Sequence, residues 1–131
     1  MAGQTKDFRT PLGRTRGLGS AHEGVHHWTL QRMSAVALIP LTLWFAWSMI
    51  HMAGADYLAY HAWIAEYGNA VLLILFVIAL FYHVQLGLQV VIEDYVHGEA
   101  AKYASVVAVK LLAVFFAVAN LFAILRITLA G

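Results

Sequence analysis

His83, Gly87, Val90 and Asp94 fall along one helical stripe, and Tyr95 follows at once. At ~100° per residue, Asp94 lies about 20° round the helix from His83 and ~16 Å further along it. The stripe therefore carries an imidazole, a gap with no side chain, a small apolar residue and a carboxylate. The apolar run from Ala70 to Ile92 is long enough to cross a bilayer, which puts His83 inside it and Asp94 and Tyr95 where it meets water. A histidine buried beside a glycine gap suits axial ligation of a haem. A phenol at the bilayer edge suits hydrogen bonding to a quinone headgroup.

Each residue also has a plainer reading. His83 can be a neutral histidine hydrogen-bonded to a neighbouring helix, although ionisable groups inside a bilayer are costly and tend to mark sites. Tyr95 can be an ordinary interfacial aromatic. Glu93 and Asp94 end a helix whose C-terminal partial charge is negative, a place that favours cations. Glu93 reads as solvated, whereas Asp94 shares the His83 face and calls for a basic group from a partner. His51 lies at the opposite end of the first span, and the remaining histidines fall outside the spans. A second axial ligand must then come from another subunit.

His22 and His26 have i, i+4 spacing but lack further ligands for a metal site. His26 and Arg32 stand at the inner interface, level with the half of the bilayer that holds His83. They can pair with anionic groups such as haem propionates; plain snorkelling of Arg32 is the alternative.

The elements that position these residues follow from composition. The chain is 62% hydrophobic and 11% charged, which excludes an ordinary soluble domain. The apolar runs are Met33 to Ile50, Ala70 to Ile92 and Ala104 to Leu125. They predict an all-α membrane protein with three transmembrane helices, over about 33–53, 69–93 and 104–126. Residues 32–131 form this anchor, and residues 1–31 a polar, loosely structured segment. The loops are too short for a complete catalytic site. With no cysteine, disulfides, thiolate-held iron–sulfur clusters and covalent c-type haem are excluded. A net charge of +1 gives no reason to expect nucleic acid.

Orientation follows from lysine and arginine placement. Lys6, Arg9, Arg14, Arg16 and Arg32 precede the first span, while the loop from His51 to Asn69 has neither residue type. The N-terminus and the Asp94–Tyr95 end are expected in the cytoplasm, the C-terminus outside. Pro11, Gly13, Gly17 and Gly19 argue against a transit-peptide helix at the start. Pro40 is expected to kink the first span. Trp28 and Trp63 read as interfacial anchors, Trp44 and Trp47 as packing residues, and Gln85 and Gln89 as interhelical hydrogen-bonders.

Two motifs carry a resemblance. One is Gly24-Val25-His26-His27-Trp28 with Gln31-Arg32-Met33-Ser34-Ala35, leading into the first span; the other is His83 followed eleven residues later by Asp94-Tyr95. Together they resemble the small membrane-anchor (D-type) subunits of bacterial succinate dehydrogenase, respiratory complex II. The tail Thr10-Pro11-Leu12-Gly13-Arg14 is similar to alphaproteobacterial members.

The resemblance implies that His83 is an axial ligand to haem b, the other ligand coming from the larger cytochrome b anchor subunit. It implies that Tyr95 hydrogen-bonds ubiquinone, that Asp94 helps organise that site, and that His26 and Arg32 lie near the haem propionates. The three helices would join a bundle with the larger anchor in the bacterial inner membrane. An iron–sulfur subunit and a flavoprotein subunit would dock on the cytoplasmic side. The alternatives are a fumarate reductase anchor running in reverse and a cofactor-free structural or assembly membrane protein.

Overall fold

A computed structural model describes residues 20–130, with side chains from Gly24. The chain divides into two compact units, Met1–Leu30 and Gln31–Gly131. The basic residues Lys6, Arg9, Arg14 and Arg16 and the tail motif around Pro11 lie outside the described residues. Among the described residues four helices follow in order: α1 (Ser20–Met52), α2 (Tyr57–Ala65), α3 (Tyr67–Tyr95) and α4 (Glu99–Ala130). There is no strand among the described residues.

Gly24–Met52, Tyr67–Tyr95 and Glu99–Ala130 are each long and apolar enough to cross a membrane. The chain is thus an all-α, multi-pass membrane protein. The helices run past the spans read from hydropathy, because apolar composition marks only the hydrocarbon layer while i to i+4 hydrogen bonding continues into the interface. The difference is largest at α1, which is already helical at Ser20, so a loose segment reaching to residue 31 is not what folds.

In the second unit, the covered positions of α1 include Gln31, Ser34, Leu38, Leu41, Phe45, Ser48 and Met52. This alternation of three and four keeps one narrow face against its neighbours. Pro40 sits inside α1 without ending it. Proline lacks the donor for the Val36 carbonyl, a loss that membrane helices tolerate. Gly54, at φ +83, turns the chain out of α1 in a conformation a side chain would strain.

The loop expected between the first two spans holds the short helix α2. Asp56 caps it, its Oδ1 accepting from the Ala59 amide at 2.8 Å. Asn69 braces the break between α2 and α3, donating from Nδ2 to the Trp63 carbonyl at 3.0 Å and to Glu66 Oε2 at 3.1 Å. Both devices use Asp and Asn side chains to satisfy polar groups at a helix end.

The core gathers Ala70, Leu73 and Val77 of α3 with Ile124 of α4. Trp44 of α1 stacks on Trp63 of α2 at 5.7 Å, and Phe45 on Phe76 of α3 at 5.0 Å. Trp63 is therefore a packing residue rather than a free interfacial anchor. Trp47, expected to pack between helices, points outward and covers the ring of His51 at 4.3 Å. Most of the remaining surface of α1 and α4 is apolar and uncovered, including Val36, Leu43, Leu111, Phe115 and Phe122. A soluble monomer rarely exposes so much contiguous apolar surface, whereas lipid solvates it.

Candidate functional site

The site begins with a buried hydroxyl. Ser34 lies on the covered face of α1 with only 8% of its surface exposed. A polar group there must find partners, since an unsatisfied one costs about 1–3 kcal/mol. Ser34 Oγ finds two: the Gln31 carbonyl at 2.8 Å and His83 Nδ1 of α3 at 3.0 Å.

One tautomer of the histidine satisfies both contacts at once. A hydroxyl has one proton to give, and a backbone carbonyl can only accept. The Ser34 proton therefore goes to Gln31, and Oγ accepts from His83. That puts a proton on Nδ1 and leaves Nε2 with its lone pair. Nε2 makes no hydrogen bond with any described residue. The two readings of His83 are thus compatible: one nitrogen bonds a neighbouring helix, and the other is left as a donor atom for a metal.

Gly87 lies one turn beyond His83 on the same stripe. A Cβ built there would meet nothing within 4 Å. A half-buried imidazole with a bare Nε2, one turn from open space at Gly87, leaves room for the edge of a planar macrocycle. No group of three or more His, Cys, Asp or Glu that could hold a metal ion occurs among the described residues.

Asp94 and Tyr95 form the last turn of α3, which is closed by the Val96 amide donating to the Ile92 carbonyl at 2.9 Å. Both are exposed, Tyr95 at 76%, and neither makes a hydrogen bond with any described residue. Along a straight helix Tyr95 is ~18 Å from His83 and about 120° round from it, so of these two residues Asp94 alone shares the His83 stripe, and neither shares a pocket with it. Val96, His97 and Gly98 separate α3 from α4, where the Lys102 amide donates to the Gly98 carbonyl at 2.7 Å.

Arg32 is exposed and two residues from Ser34, which sets it within a turn of the level of His83. His26 is exposed in the helical part of the first unit. The helix gives His22 and His26 their i, i+4 register, but the His22 side chain lies outside the described residues. His27 Nε2, also in the first unit, is buried with no hydrogen-bond partner.

Gln85 and Gln89 differ from the interhelical bonds expected of them. Gln85 Nε2 donates to Gln89 Oε1 and Gln89 Nε2 donates to Glu93 Oε1, each at 3.1 Å, so the ladder runs along α3 itself. At i, i+4 spacing these groups reach one another without a second helix. The residue whose importance sequence did not reveal is Ser34. It stood in the motif leading into the first span, but nothing local marked it as the partner of a residue 49 positions away.

The sequence profile of the succinate dehydrogenase/fumarate reductase transmembrane subunit family matches residues 6–119. A succinate dehydrogenase hydrophobic membrane anchor subunit of Rickettsia bellii is 34% identical over 120 residues, covering 92% of this chain and 96% of its own length. Its counterpart in Paracoccus denitrificans is 40% identical over 106 residues, covering 78% and 79%. The succinate dehydrogenase membrane anchor subunit of Reclinomonas americana is 30% identical over 95 residues, covering 70% and 78%. No solved structure matches the chain significantly.

Proposed function

Because this chain belongs to the succinate dehydrogenase/fumarate reductase transmembrane subunit family, as a succinate dehydrogenase membrane anchor, we propose two tasks for it. It co-ligates a haem b through His83 Nε2, and it contributes Asp94 and Tyr95 to a ubiquinone-reduction site. The observation that carries the first is the Ser34–His83 hydrogen bond, which commits Nδ1 and spares Nε2. The open space at Gly87 supports it. A second protein ligand would come from the larger cytochrome b anchor subunit.

The haem, when bound, supplies a one-electron redox centre. The residues of this chain do the rest by position. The Tyr95 hydroxyl donates to a quinone carbonyl oxygen, a bond that strengthens as negative charge grows there. The Asp94 carboxylate orients a basic group of the partner and holds a proton on the aqueous side. Arg32, near the level of His83, and His26 offer positive charge and donors to haem propionates. An iron–sulfur subunit delivers electrons at the Tyr95 end, and a flavoprotein subunit oxidises succinate beyond it. This chain alone completes no catalytic site.

The setting is the bacterial inner membrane, with the N-terminus cytoplasmic and the C-terminus periplasmic. Arg32 and the basic residues before it support that orientation. A fumarate reductase anchor would use the same residues in reverse; the names of the relatives favour the succinate-oxidising direction.

The test is His83→Ala in the purified four-subunit complex. Loss or displacement of the reduced-minus-oxidised b-type spectrum is expected. An unchanged spectrum and midpoint potential would remove His83 from the ligand set.

A further inference from the structure

We propose that Ser34 is a positioning residue for His83: it fixes the imidazole tautomer and rotation and sets how strongly Nε2 donates to a bound iron. The inference rests on the haem-ligand reading of His83 and goes beyond it, to the part of this chain that tunes the ligand.

The geometry is a directed chain of hydrogen bonds. His83 Nδ1–H donates to Ser34 Oγ at 3.0 Å, and Ser34 Oγ–H donates to the Gln31 carbonyl at 2.8 Å. The carbonyl has no proton to return, so the chain cannot reverse. A hydroxyl that is itself donating is a better acceptor, because successive hydrogen bonds polarise one another. The bond to Nδ1–H therefore pushes electron density into the ring and raises the basicity of Nε2, as outer hydrogen bonds to metal-bound histidines generally do.

Burial makes the arrangement selective. Ser34 is 8% exposed and lies on a different helix from His83, so little water competes for Nδ1. The ring is held at Nδ1 by α1, and Gly87, one turn further along α3, has open space at its Cβ position. If the ring turned over about its Cβ–Cγ bond, Cδ2 would face Ser34 and Cε1 would take the place of Nε2, and the bond to Ser34 would be lost. Ser34 selects against that state.

A more basic ligand nitrogen favours the oxidised iron. Removing the Ser34 acceptor is therefore expected to raise the haem midpoint potential. Losing a hydrogen-bond partner behind a ligand changes metal affinity by about 10- to 100-fold. At the lower figure, felt by one oxidation state, the reduced-to-oxidised ratio shifts about tenfold, which is ~59 mV for one electron.

The experiment is an optical redox titration of the haem in purified complexes carrying Ser34→Ala, Ser34→Thr or His83→Ala, beside the parent. Ser34→Ala should retain haem with a potential raised by about that tenfold ratio. Ser34→Thr keeps a hydroxyl able to bond a carbonyl three or four residues back and should restore the parent value. If His83→Ala removes the haem but Ser34→Ala leaves the potential unchanged, the tuning role is overturned while ligation stands. If His83→Ala leaves the haem intact, both fall together. Should Ser34→Ala not assemble, Ser34→Cys carries the comparison, because it keeps the volume with a weaker acceptor. An intermediate rise then supports the proposal, and the parent potential overturns it.

Discussion

Gly87 offers a test in which stability and cofactor binding should move in opposite directions. A Cβ at Gly87 meets nothing within 4 Å, so this chain alone has no objection to a side chain there. On helix propensity, Gly87→Ala should stabilise α3 by about 0.8–1.0 kcal/mol, roughly four- to fivefold in an equilibrium constant. A larger group, as in Gly87→Leu, projects further into the open space on the His83 stripe. If a haem fills that space, the intruding side chain overpacks it, at a cost of about 1–3 kcal/mol. That corresponds to a loss of about 5- to 150-fold in haem affinity.

The assay is haem content per complex, by pyridine haemochrome absorbance against protein, after washing with a competing apo-protein. Subunit stoichiometry from the same preparation reports assembly. Gly87→Leu should lose haem while the subunits remain together; Gly87→Ala should lose much less. Full haem occupancy in Gly87→Leu, at the parent's midpoint potential, would show that the open space at Gly87 is not where the cofactor lies. Parallel loss of haem and subunits would show that the glycine faces a protein partner instead.

Two further expectations concern the ends of the helices. A periplasm-active reporter fused after Gly131 should be active, because Arg32 and the basic residues before it hold the N-terminus inside; activity only from a cytoplasm-specific reporter would invert the orientation. Tyr95→Phe deletes one exposed hydroxyl and no hydrogen bond within the described chain, so assembly should be unaffected. Quinone reduction should slow by about 10²-fold or more, while succinate oxidation by an artificial acceptor upstream persists. Equal quinone activity in mutant and parent would leave Tyr95 as an interfacial aromatic.

The spans were legible in the sequence because lipid imposes its requirement on every residue of a run, so a count of apolar positions is enough. Their ends were not. Ser20 to Leu30 is helical despite its polar composition, and α2 sits in what reads as a loop. At a membrane surface, helix and coil differ by local capping of the kind Asp56 and Asn69 supply, and hydropathy is blind to it. Trp63 packs within the chain while Trp47 faces outward for a related reason. An interfacial aromatic and a packed one have the same composition and depth, and differ only in which neighbour the helix turn presents.

The candidate site was half legible, and the missing half is the instructive one. His83, Gly87, Asp94 and Tyr95 share one helix, so 3.6 residues per turn places them without knowledge of the fold. Ser34 is 49 positions away, and only the packing of α1 on α3 brings it to His83. Without Ser34 the choice for His83 lay between a hydrogen-bonded histidine and a ligand, because either one alone explains a polar side chain in a membrane span. The ring has two nitrogens, and the directionality of a single hydroxyl proton divides them: Nδ1 is satisfied within the fold and Nε2 is not. A buried polar group whose hydrogen-bonding capacity is half spent points outward from its own chain. Tyr95 and Asp94 stand exposed for a simpler reason: they form the last turn of the helix.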